Sequence, residues 1–122
     1  MQLDLEKGDS LIIRSFSSGE IRINDQVVTT HIILAVDKII GEWTPPPIEK
    51  LSIADFRLPL EHDPEVILFG TGLIQRFPKA ELITDVLRRG VGFEVMATGA
   101  ACRTFNVLAS ERRRVIAALL VR

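Results

Sequence analysis

The apolar positions of this chain change period near its middle. In the first half they come in short, alternating runs bounded by turn residues, which predicts strands. Leu11 to Phe16 is expected as one strand, and Ser17-Ser18-Gly19 as a turn. Ile21-Arg22-Ile23 and Val27-Val28-Thr29, joined by Asn24-Asp25, predict a hairpin, because Asn and Asp tolerate the positive φ of a tight turn. A more apolar strand is expected from His31 to Val36. Asp37 to Pro47, with Trp43 and three consecutive prolines, reads as a connector outside any ladder. Proline lacks the amide donor and forces its predecessor extended. Ser52 to Phe56 is expected as a helical turn kept short by Pro59 and Pro64.

In the second half the runs lengthen. Val66 to Phe69 is continuously apolar, as a strand covered on both faces requires, and it leaves through Gly70-Thr71-Gly72. Pro78 stands where a helix can begin, Leu82, Ile83, Val86 and Leu87 recur at helical spacing, and Gly90 supplies the stop. Gly92 to Met96 is the next strand. Thr98 is the expected N-cap of a second helix with an apolar stripe of Ala101, Cys102, Phe105, Leu108 and Ala109. Val115 to Val121 is expected as a closing strand. Strand hairpins followed by strand-helix units predict one α/β domain over residues 1–122, with its core at about 10–121.

The chain has 122 residues, a formal net charge of -1, and 47% hydrophobic residues. That balance gives no reason to expect nucleic acid or an anionic membrane as a partner. Arg112-Arg113-Arg114 is an isolated cationic run beyond a helix end, where cations are favourable, and reads as a solvated turn. No apolar run approaches the ~20 residues needed to cross a bilayer, so no direct membrane insertion is expected. The first residues lack the basic and apolar regions of a signal peptide, and a lone cysteine cannot close an internal disulfide. Together these predict a cytoplasmic protein.

The candidate chemistry gathers at the two glycine exits. Gly70-Thr71-Gly72 after a strand suggests a phosphate-binding turn, but a dinucleotide fingerprint needs a glycine where Gln75 stands, and a P-loop needs Gly-Lys-Ser/Thr. Cys102, early in a helix, invites a nucleophile reading. The only histidines, His31 and His62, have no local motif joining them to it, so a packed cysteine is favoured and no metal or cofactor is expected. Arg76 lies in the loop after Gly72, and Arg103 and Asn106, beside the helical stripe, are expected to converge on that loop and hold the two glycine exits by hydrogen bonds to loop carbonyls.

Several segments carry a family resemblance: Arg14-Ser15-Phe16, Gly19-Glu20-Ile21-Arg22-Ile23-Asn24, Leu68-Phe69-Gly70-Thr71-Gly72, Gln75-Arg76-Phe77-Pro78, Gly90-Val91-Gly92-Phe93-Glu94-Val95-Met96 and Ala101-Cys102-Arg103-Thr104-Phe105-Asn106-Val107-Leu108. In this order they resemble a family of small single-domain proteins of unknown function. Its eukaryotic relatives include a mitochondrial assembly factor of respiratory complex I and an adipogenesis-associated cytosolic protein. The resemblance implies a three-layer α/β fold, with a central mixed sheet flanked by helices and an additional N-terminal β layer. It implies no established enzymatic activity or cofactor. Its motif residues fall on Gly70, Thr71, Gly72, Gln75, Arg76, Thr98, Ala101, Cys102, Thr104, Phe105 and Asn106, and Ala97 stands where many relatives have aspartate. Two function classes stay open. One is a non-enzymatic interaction or assembly module with a protein partner, able also to self-associate through an exposed apolar patch. The other is a small-molecule or phosphate-ligand binder, or an enzyme, using the crevice between Gly70-Gly72 and the Thr98 helix.

Overall fold

The computed structural model describes residues 11–122. Expectations for the amino-terminal residues, including the start of the core at about residue 10, lie outside the described residues. Three short strands, β1 (Ile13–Ser17), β2 (Glu20–Ile23) and β3 (Gln26–Val28), form an antiparallel meander. Its second turn places Asn24 at φ +52°, the positive value that made Asn the expected residue there. Five strands make the main sheet in the order β5-β4-β8-β6-β7: β4 (Ile32–Leu34), β5 (Ile39–Glu42), β6 (Val66–Thr71), β7 (Gly92–Met96) and β8 (Val115–Leu120). β8 runs parallel to β6 and antiparallel to β4, so the sheet is mixed and β8 is its central strand.

One element differs from expectation. Ile39–Glu42 pairs antiparallel with β4, inside the stretch read as connector. The ladder closes at Glu42, two residues before Thr44, so the three prolines end the strand without interrupting it.

The alternation along β6 and β8 assigns the layers. Val66, Leu68, Val115, Ala117 and Leu119 face one core, covered by the β1–β3 meander and by helix α3 (Thr98–Ser110) through Ala101, Cys102, Phe105 and Ala109. Ile67, Phe69, Ile116, Ala118 and Leu120 face the other. It is covered by Trp43, by 3-10 turns at Ile48–Lys50 and Ile53–Phe56, and by Leu82 and Val86 of helix α2 (Ala80–Leu87); the short helix α1 (Arg57–Leu60) follows the second turn. Phe56 sits edge-on to Trp43, Phe69 and Phe93, with ring centroids 5.3–5.6 Å apart, and Trp43 Nε1 donates to the Asp55 carbonyl at 3.1 Å. These contacts hold the proline segment against the sheet.

The chain winds from β6 through α2 to its neighbour β7, then back through α3 across β6 to β8. Right-handed crossovers in opposite directions put α2 and α3 on opposite faces, and the switch falls at the carboxyl ends of β6 and β7. That is the edge where Gly70-Thr71-Gly72 and Thr98 stand.

Candidate functional site

At this edge the crevice is filled by the chain itself. Thr98, fully buried, accepts the Gly72 N–H on Oγ1 at 2.8 Å, and the same hydroxyl donates to the Leu120 carbonyl at 2.6 Å. Its own N–H donates to the Gly72 carbonyl at 2.9 Å. The N-cap is therefore Ala97, which makes no side-chain capping bond, while Thr98 is the first helical residue and clips the ends of β6 and β8 together. A local pattern shows Thr98 before an apolar stripe and so suggests a cap; it does not show the carbonyl waiting 22 residues on.

The two glycines are required for different reasons. A Cβ on Gly70 would lie 2.9 Å from Thr98 Oγ1 and 3.1 Å from Thr98 Cα, so the first turn of α3 rests on the bare backbone. Gly72 has φ +96°, in the region other residues rarely adopt. Thr71 completes the turn: its hydroxyl donates to the Ile74 carbonyl at 2.6 Å and accepts the Arg76 N–H at 3.1 Å. Gln75 Nε2 donates to the Val95 carbonyl of β7 at 3.0 Å. With the Gly72 amide already bonded, the exit does not present it to an anion.

The arginines and Asn106 do not meet at this loop. Asn106 lies eight residues beyond Thr98, about 12 Å along the helix axis. There its carboxamide bonds both main-chain groups of Ile13 in β1. Arg76 turns to the other face, where its guanidinium lies 3.6 Å from the carboxylate of Glu49 in the 3-10 turn Ile48–Lys50. Arg103 turns back along α3 to a groove of about 250 Å³ against β1, lined also by Arg14, Ser15, Phe16, Gly99 and Cys102. Burial pushes the Cys102 thiol up to about 12, outweighing the opposing charge of Arg103, so at neutral pH it is a protonated, packed side chain. In the basic run, Glu65 accepts the Arg114 N–H at 2.9 Å and lies 3.7 Å from Arg113, while Arg114 Nε donates to the Asp63 carbonyl. The run thus closes the turn before β8.

A feature absent from the sequence reading lies in the loop between β6 and α2. Leu73, Ile74 and Phe77 are 64%, 66% and 65% exposed, three large apolar side chains within five positions. The backbone beneath them is pinned by the Thr71 and Gln75 bonds. The available signal was apolar residues between a strand exit and a helix start, in neither period.

Among the described residues no helix is long and apolar enough to cross a membrane. A protein from Danio rerio named NADH dehydrogenase [ubiquinone] 1 alpha subcomplex assembly factor 3 is 34% identical over 119 residues, covering 94% of this chain and 67% of that protein. A Francisella tularensis protein named 13 kDa major membrane protein is 37% identical over 68 residues, 56% of this chain and 55% of its own length. The chain thus spans between about half and two-thirds of the length of these curated relatives. The solution structure of a Xanthomonas campestris protein superposes with a TM-score of 0.83 at 38% identity, covering 99% of this chain and 92% of that one. Residues 13–120 match the model of a protein family of unknown function, DUF498/DUF598, and the chain belongs to that family.

Proposed function

We propose that this chain is a non-enzymatic docking module, a single cytoplasmic domain that binds a protein partner during assembly of a membrane-bound complex. The observation that carries the reading is the pinned crest of Leu73, Ile74 and Phe77. Burying such a side chain is worth about 1.5–3 kcal/mol, whereas association costs about 4–15 kcal/mol. Three of them therefore anchor an interface that flanking surface completes. Pinning the loop beforehand lowers the ordering cost on binding. Two further features support the reading: the Gly70-Gly72 exit is occupied by Thr98, and Cys102 is held as a protonated thiol. The name of the Danio rerio relative supplies the assembly role.

The test compares affinity recovery from native cells by the wild type, by Ile74→Asp/Phe77→Asp and by Arg76→Ala. The exposed crest positions leave folding intact, so melting temperatures should match. A defined partner recovered by the wild type and by Arg76→Ala, and lost with the double variant, is the expected result. Recovery indifferent to the crest, or binding of a phosphorylated metabolite abolished by Arg76→Ala, overturns the reading.

A further inference from the structure

The groove between β1 and α3 is lined by two arginines and, among the described residues, by no carboxylate. Arg14 reaches it from the strand and Arg103 from the helix. Both residues are exposed, and neither forms an ion pair with another described residue. Arg103 is not extended into solvent. Its Nη1 lies 3.7 Å from the position a Cβ on Gly99 would take, and the Phe16 ring edge lies at the same distance. The guanidinium is therefore folded back over the first turn of α3, beside the Phe16 ring. A cation there is opposed by the positive end of the helix. The first turn of α3 has no acidic residue and Ala97 no capping side chain, so nothing in that turn offsets this repulsion. An anion seated in the groove reverses it, meeting the Arg103 guanidinium and a helix terminus of the same sign, with Arg14 in the opposite wall.

We propose that this groove is an oxyanion-binding site, taking a carboxylate or phosphate group on Arg14 and Arg103. Planar guanidinium forks match both oxyanions, and Ser15, a residue with a hydroxyl donor, belongs to the same lining. A volume of about 250 Å³ exceeds a bare phosphate and suits a small organic acid, a phosphomonoester or one acidic side chain of a partner. The site is separate from the apolar crest, which the loop to α2 carries, so either stands if the other falls.

The experiment is an amide NMR titration of the ¹⁵N-labelled chain at constant ionic strength with three probes: inorganic phosphate, succinate and a hexaglutamate peptide. Saturable shifts at Arg14, Ser15, Gly99 and Arg103 are expected. Affinity should fall about tenfold in Arg14→Gln/Arg103→Gln, with the melting temperature unchanged. Tighter binding of phosphate or succinate than of the peptide assigns a free anion; the reverse assigns a partner's acidic side chain. Shifts that stay linear, centre on Arg112–Arg114 or survive the double substitution overturn the proposal. If the double variant melts lower, Arg103→Lys, which keeps the charge and loses the fork, serves instead, and undiminished affinity in it overturns the proposal equally.

Discussion

The carboxamide of Asn106 in α3 holds both main-chain groups of Ile13 in β1, accepting its N–H at 3.0 Å and donating to its carbonyl at 2.9 Å. A side chain thus stands where a neighbouring strand would, and the meander is fastened to the helix by a polar pair at the rim of their shared apolar core. Asn106→Ala leaves both Ile13 groups without a partner and is expected to lower stability by about 1–3 kcal/mol. A chemical-denaturation midpoint equal to that of the wild type would refute this role.

Thr98 gives a sharper contrast. Thr98→Val keeps the volume and strands the Gly72 N–H and the Leu120 carbonyl, at a cost of about 1–3 kcal/mol, whereas Thr98→Ser keeps the hydroxyl and should lose less. Gly70→Ala should also destabilise, by about 1–3 kcal/mol, because its methyl meets the backbone of Thr98. Thermal unfolding of the three variants checks the order, and a serine variant as weak as the valine one contradicts it.

The thiol of Cys102 is expected to resist labelling. With its pKa pushed up to about 12 by burial, the folded protein should react slowly with a thiol reagent at neutral pH and rapidly once unfolded. Fast modification of the folded chain would show that the thiol is accessible and ionised, contrary to its packing.

Acid should weaken the fold through His31. Its Nδ1 accepts the Val121 N–H at 3.0 Å, which requires the neutral ring, and burial, reinforced by the Arg122 charge, holds its pKa below the usual value. The folded state therefore binds its proton later than the unfolded chain. The contribution is complete above about pH 6.5 and is lost as the pH falls from there through the lowered folded value. Denaturation midpoints between about pH 8 and about pH 5 should fall less in His31→Asn than in the wild type; parallel curves would exclude His31 as the source.

Local periodicity revealed β6, β7, β8, α2 and α3 because each buries a face whose spacing repeats along the chain, as Val66, Leu68 and Ile67, Phe69 do on opposite sides of one strand. β5 was hidden by its neighbours: three prolines and Gly41 speak against a ladder, yet the paired residues stop at Glu42. The site was less legible. Gly70, Gly72 and Thr98 were singled out by type, but their work depends on contacts between residues 22 to 28 positions apart, and that of Asn106 on a residue 93 positions away. A helical projection places Asn106 beside the stripe and does not say which strand lies opposite. The crest escaped notice because an apolar residue in a loop announces nothing until its exposure is known.

The central position of β8 bears on how the protein is made. This strand follows the other seven strands of the described residues in sequence but lies between β4 and β6, so while a ribosome is still adding residues 115–120 the pairs β4–β5 and β6–β7 have no common neighbour. Each then displays an apolar ladder edge, and joining them requires contacts across most of the chain, the slow kind to form. The nascent chain must be kept from pairing with itself or with others until β8 emerges. A messenger truncated or stalled just before Val115 would yield two half-sheets with sticky edges, a species fit for chaperone capture and degradation.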